Sequence, residues 1–195
     1  MLPGRGGRQL IYASRLDAVL ILAALGSAQA ADWKMDAAAS RLEFTTTFEK
    51  APAPGVFREF DTRMHFDAER PAEGRLDVTI VVKSADMNSA DVNKAIAGAE
   101  WFDFARFPQA EFHATDISRT GDGRYLARGM LKLKGVEQPV EVPFTWGETG
   151  DAAKLEGEFI LKRGAFGIGT GEWAATSVIG ADVKIKFNLR MRKSG

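Results

Sequence analysis

Cysteine is absent from the 195 residues. Its absence excludes a disulfide framework, a thiolate nucleophile and any zinc or iron–sulfur site held by Cys. It also excludes a lipid anchor attached to a Cys at a cleavage point. Histidine is nearly absent. His65 and His113 are well separated, carry no paired carboxylate pattern and fall on the polar faces of their segments, so they read as surface residues and make a poor metal site. An excess of charge of one sign is lacking: 26 basic and 26 acidic side chains balance, with no basic stripe, which argues against nucleic acid as a partner. No Ser/His/Asp arrangement stands out. Residues 167–171 read G-I-G-T-G, but no helical pattern follows, so the phosphate-binding logic fails and the stretch is a turn. The expectation is a protein without metal, cofactor or catalytic residues. Long apolar runs are also missing, and no helical membrane span is predicted.

The one apolar run near the start is short. Residues 18–25 read A-V-L-I-L-A-A-L, preceded by Arg5, Arg8 and Arg15 and followed by the small-x-small pattern Ala28-Gln29-Ala30. Eight apolar residues behind a basic stretch are the secretory pattern, so residues 1–30 are read as a signal peptide cleaved after Ala30 and the protein as periplasmic. Without paired arginines, general secretion is favoured over twin-arginine export. The remaining domain, residues 31–195, loses three Arg and one Asp with the leader. It keeps 23 basic and 25 acidic side chains among 165 residues. A chain of that size buries roughly 70% of its unfolded surface without staples.

Period two fills this domain. Leu42, Phe44, Thr46 and Phe48 share one face and Arg41, Glu43, Thr45 and Thr47 the other. Phe60, Thr62, Met64 and Phe66 alternate with Asp61, Arg63, His65 and Asp67, and Leu76, Val78, Ile80 and Val82 continue the pattern. So do Val140, Val142, Phe144 and Trp146; then Leu155, Phe159 and Leu161; then Val183, Ile185, Phe187, Leu189 and Met191 against Lys184, Lys186, Asn188, Arg190 and Arg192. Such alternation means strands with one dry face and one wet face. Residues 52–55 (P-A-P-G), 121–123, 134–135, 147–151 and Gly164 read as turns. Residues 84–107 break the alternation. Val92, Ala95, Ile96 and Ala99 stand at helical spacing there, which predicts a short helix or two across one end. The fold class is all-β: an antiparallel eight-stranded barrel, with a short helical segment closing one end. An outer-membrane barrel is disfavoured, because several strands of about seven residues fall short of the roughly 9–11 needed to cross a bilayer. Thirteen Phe and four Trp supply bulky lining. Whether they fill the barrel or surround a space is left open by the sequence, since an eight-stranded interior suits either outcome.

The residues support a family resemblance over nearly the whole domain. Trp33-Lys34-Met35-Asp36 with Ser40 to Phe44 is similar to an opening strand, and Gly55-Val56-Phe57-Arg58-Glu59-Phe60 to a G-x-F-x-x-F turn. Glu100-Trp101-Phe102-Asp103 with Phe107-Pro108 and Phe112 is similar to a D-F-F-D…Y-P…F segment, and Gly129 to Gly135 with Pro139-Val140 to a G-x-L-x-x-x-G…P-V hairpin. Arg163-Gly164-Ala165-Phe166-Gly167-Ile168-Gly169 matches an R-x-x-F-G-I-G segment, and Gly180-Ala181-Asp182-Val183 stands before the last strand. In this order and spacing the chain resembles the YceI-like, lipocalin-like family of bacterial periplasmic polyisoprenoid-binding proteins. The resemblance implies a barrel around an apolar tunnel that takes a long-chain lipid: a polyisoprenoid, a quinone precursor or a fatty amide. For some relatives it implies association with b-type cytochromes. The chain departs from the pattern at Val92 to Ile96, where the family often shows Asp-x-His-Leu, and at Trp101, where it has a second Phe.

The ligand-binding candidates are Phe44, Phe48, Phe57, Phe60, Phe66, Trp101, Phe102, Phe159, Arg163 and Phe166. Each aromatic has an alternative as ordinary core. Trp101, Phe102 and Phe104 form either a lid or the dock for the helix. Arg163 continues the inward set of its strand, where an isolated charge is costly. It either meets a polar lipid head or plugs the barrel end by stacking on Trp33. Three functions remain: a carrier for a long apolar lipid, an enzyme of isoprenoid or quinone metabolism, and an interaction or stress-response protein with a filled core. Exposed strand edges leave a homodimer open.

Overall fold

In a computed structural model the described residues are 30–194; the expected signal peptide, residues 1–30, lies outside them except for Ala30. Alternating apolar residues give eleven strands among the described residues: β1 (Ala31–Met35), β2 (Arg41–Phe48), β3 (Ala51–Phe57), β4 (Phe60–Phe66), β5 (Arg75–Val81), β6 (Ala85–Asp86), β7 (Gln109–Gly121), β8 (Arg124–Leu133), β9 (Val136–Thr149), β10 (Ala152–Lys162) and β11 (Asp182–Lys193). One helix, α1 (Ala90–Ile96), begins at Ser89, whose hydroxyl accepts from the Val92 amide and caps it.

Every pairing is antiparallel. The order β1–β4–β5–β7–β8–β9–β10–β11 closes on itself because β1 also pairs with β11, so the ring is an eight-stranded barrel. β11 is shared end to end. Met191, Arg192 and Lys193 pair with β1, while residues 184–188 pair with β2, after the chain breaks stride at the 3-10 turn Ala37–Ala39. β3 and β6 continue outward from β2. The wet faces are charged, as on β11, where Lys184, Lys186, Arg190 and Arg192 are exposed while Phe187, Leu189 and Met191 are buried.

Two expectations are corrected. Residues 52–55 are not a turn; they lie within β3, and the reversal is made by Glu49 and Lys50 at φ 48° and 69°. Proline is admitted there because β3 is an edge beyond its short pairing with β6, so the missing N–H costs no ladder bond. Gly55 is required because the Phe44 ring lies on it, where a Cβ would collide with the ring. The strands are also longer than expected: β2 to β5 run seven or eight residues, but β7 to β11 run 10–14.

The core is uneven along the barrel axis. Trp33, Met64, Phe66, Ile117, Tyr125, Phe144, Trp146 and Met191 fill the end where β4, β7, β9 and β11 finish. Their rings interlock edge to face: Trp33 and Trp146 at 5.0 Å, Phe66 and Tyr125 at 5.1 Å, Phe66 and Trp146 at 5.3 Å. This geometry adds about 0.5–1.5 kcal/mol per pair beyond area burial. At the opposite end α1 and the turns after it lie across the mouth, with Ile96 packed beside Phe44 and Ala85.

Candidate ligand-binding site

Between the aromatic plug and the cap the barrel is hollow. A cavity of about 180 Å³ remains, more than ten times the roughly 10–15 Å³ that one water needs. Its exposed wall is apolar throughout. Every strand of the ring except β1 contributes, for example Thr62 from β4, Val78 from β5, Phe112 from β7, Leu131 from β8, Val142 from β9, Leu155 from β10 and Phe187 from β11. Met87, Ile96, Trp101 and Phe102 close it from the cap. Apolar cavities of this kind stay dry and take hydrocarbon.

Eight of the ten candidates stand on this wall: Phe44, Phe57, Phe60, Trp101, Phe102, Phe159, Arg163 and Phe166. Phe66 has the right parity but the wrong depth, being part of the aromatic plug. Phe48 has the parity of Phe44, yet β2 outruns the ring. It sits beside the β2–β3 turn, bridged to Ile179 and 48% exposed. Phe104 stays off the wall and stacks on Phe102 at 6.0 Å, which makes it part of the cap's dock.

Arg163 is 5% exposed and spends all five of its N–H groups on backbone carbonyls. Nε donates to Gly180 (3.0 Å); Nη1 to Ile168 and Gly169 (2.9 Å each); Nη2 to Trp173 (2.7 Å) and Ile179 (3.0 Å). None is left for a ligand head. Burial pushes its pKa down, and convergent carbonyl dipoles replace a counter-ion. Its ring partner is Trp101, 5.9 Å from the guanidinium carbon, and not Trp33 as expected. Trp33 sits in the plug and takes Lys193 instead, at 5.1 Å. The arginine thus ties the loop after β10, which brings Phe166, Ile168 and Ile179 to the wall.

Two further anchors of the cap carried no sequence signal. Lys134, in the β8–β9 turn, donates from Nζ to Ala99 O (2.8 Å) and Gly167 O (2.6 Å), and burial lowers its pKa. The Asp86 carboxylate accepts from Asn93 Nδ2 (2.9 Å), Asn88 N (2.8 Å) and Arg58, while Asn93 Oδ1 accepts from Met87 N (2.8 Å). The Asn93 bond, then Arg58, then the Asn88 amide hold the Asp86 carboxyl down to about 2. A depressed carboxyl stabilises fully above its ordinary 3.8 and loses that contribution as pH falls toward 2. Amide-exchange protection of α1, corrected for intrinsic rates, is therefore expected to fall across this window and to be flat above it. Asp86→Asn should lower protection at neutral pH and remove the acid step; an unchanged step would place its origin elsewhere.

No carboxylate or imidazole lines the cavity among the described residues, and no group of three or more metal-ligating side chains occurs among them. His65 pairs through Nδ1 with Asp32 (2.7 Å) and His113 with Asp77, both on the outer face. The arrangement can enclose and orient an apolar molecule. Among the described residues the polar side chains on its wall are Arg163 and the hydroxyl-bearing Thr46 and Thr62.

A family model described as the YceI-like domain matches residues 33–191. The chain belongs to the YceI-like family. A "UPF0312 protein" of Pectobacterium atrosepticum is 33% identical over 158 residues, covering 75% of this chain and 82% of that protein. One of Yersinia pestis is 37% identical over 118 residues, 59% of this chain and 61% of the Yersinia protein's length. Among solved structures, Burkholderia cenocepacia BcnA superposes with a TM-score of 0.78 at 35% identity, over 80% of this chain and 98% of BcnA. A polyisoprenoid-binding domain from Saccharophagus degradans, implicated in plant cell wall breakdown, gives 0.67 at 15% identity over 83% and 98%. At that identity the last likeness concerns the YceI-like fold alone.

Proposed function

We propose that this YceI-like protein is a non-catalytic carrier for a long-chain apolar lipid of the polyisoprenoid, quinone-precursor or fatty-amide class. In this reading it is exported to the periplasm after cleavage at Ala30. The apolar cavity between plug and cap is the observation that carries the reading. The S. degradans neighbour is described as polyisoprenoid-binding, which agrees with it. Among the described residues Arg163 is the wall's one charged side chain and its donors are consumed by the backbone, so recognition rests mainly on hydrocarbon and shape.

Each CH₂ moved from water into such a wall is worth at most about 0.8 kcal/mol. Two methylenes then give at most a little more than a tenfold gain in affinity, since about 1.4 kcal/mol is tenfold. The test is native mass spectrometry with organic extraction on protein purified from a periplasm without detergent, followed by a titration series of prenyl alcohols and fatty amides. A stoichiometric lipid is expected. Affinity should climb with chain length until the cavity is full and then level off. Affinity independent of length, or a clean apo mass after incubation, would sink the carrier reading.

A further inference from the structure

The barrel wall is not zipped all the way round. β9 and β10 pair only from Thr145 to Thr149 against Ala152 to Glu156. Above that point β9 stays paired with β8 up to Val136, and β10 with β11 up to Lys162, but not with each other. The cause is written in the chain. The Trp146 N–H donates to Gly123 O, toward β8 (2.9 Å), and N–H groups alternate sides along an antiparallel strand. Even-numbered residues of β9 therefore serve β8 and odd-numbered ones face β10. The next two odd positions but one apart, 143 and 139, are prolines, which have no N–H. The ladder stops at the first of them.

The strands still touch there. A Cβ on Gly157 would collide with the Pro143 carbonyl oxygen, so only glycine lets β10 approach. Beyond this contact the amides of Glu158, Ile160 and Lys162 face β9 by the same alternation, but the two strands share no ladder there. The seam is closed again at its far end, where Lys134 holds the loop after β10 through Gly167 O. Its inner lip is cavity wall: Val140, Phe159 and Leu161. Its outer lip is mixed: Ile160, 60% exposed, and the rings of Pro139 and Pro143 stand among the exposed Glu141, Glu158 and Lys162.

Resting on the carrier reading, we infer that the seam between β9 and β10 is a lateral portal through which the ligand chain enters and leaves the cavity. Val140, Phe159 and Leu161 on the inner lip, with Ile160 and the two proline rings outside, give a passing hydrocarbon chain an apolar path between the charged side chains. The two prolines prevent the strands from closing.

The chain has no cysteine, so introduced thiols are the only ones. Continuing the register places Glu141 opposite Ile160, both outward. In one arm, Glu141→Cys/Ile160→Cys is bridged with a short bis-maleimide; Thr145→Cys/Glu156→Cys, within the zipped part, is the control. In a second arm, Pro139→Val/Pro143→Val restores the two donors, with folding checked by circular dichroism. Binding of cis-parinaric acid is followed by stopped-flow fluorescence. Bridging the seam, or restoring its donors, should slow association and dissociation at least tenfold, with Kd within about threefold and the control unchanged. Rates unaffected in both arms, while the wild type binds, would place the entrance at the cap and overturn the portal alone. A wild type that takes up no parinaric acid overturns the carrier reading, and the portal with it.

Discussion

Arg163→Met is expected to cost about 3–5 kcal/mol of stability, because several hydrogen bonds from one buried charged group are lost together. Five carbonyls, on Ile168, Gly169, Trp173, Ile179 and Gly180, converge on one guanidinium. Hydrogen bonds to a charged group are worth about 1.5–3 kcal/mol each, but the losses do not add, because a freed loop rehydrates its carbonyls. Arg163→Lys separates charge from geometry: an ammonium offers three donors and no planar fork, so at most three carbonyls are recovered. An intermediate loss is expected from it. Urea unfolding supplies the measurement, with a shifted midpoint at constant slope reporting stability. If Arg163 instead served a lipid head, Arg163→Met would weaken binding and leave the midpoint in place.

This reading of Arg163 marks where the sequence stops being informative. Parity put Arg163 on the inner face, as it put Phe44, Phe57 and Phe60 there, because each strand buries one side. Parity does not give depth along the barrel. Phe66 and Phe60 are indistinguishable by alternation, yet one packs in the plug and the other lines the cavity. Nor does it show where a strand leaves the ring, which is why Phe48 is exposed while Phe44 is not. The hollow itself has no sequence signal: Thr62, Leu76 and Val142 would suit a filled core equally well. Pro52 and Pro54 read as turn residues because their strand's edge position is a tertiary fact. Pro139 marked a hairpin, and its effect on the opposite neighbour, β10, needed the register. The Asp86, Asn93 and Arg58 cluster joins residues 28 to 35 positions apart along with a pair only seven apart, in a segment whose polarity suggested nothing beyond a helix.

Ala110→Trp should abolish high-affinity binding while leaving the barrel folded. Ala110 lies on β7 beside the mouth, buried and on the cavity wall, opposite Ile80 of β5. Its methyl group faces empty space, so an indole there enters the cavity instead of a packed neighbour. Part of the cavity of about 180 Å³ is then occupied by the protein's own side chain. An indole displaces about nine ligand atoms. At about 0.3 kcal/mol per atom this is about 3 kcal/mol, or roughly a hundredfold weaker Kd. Filling a void also restores dispersion contacts that the wall lacks, so the apo form should melt no lower than wild type. That pairing of outcomes is the discriminating one. Overpacking would lower both affinity and melting temperature. Unchanged affinity with unchanged stability would mean that the ligand never enters the barrel, and that an apolar cavity in this YceI-like fold is a packing defect without a function.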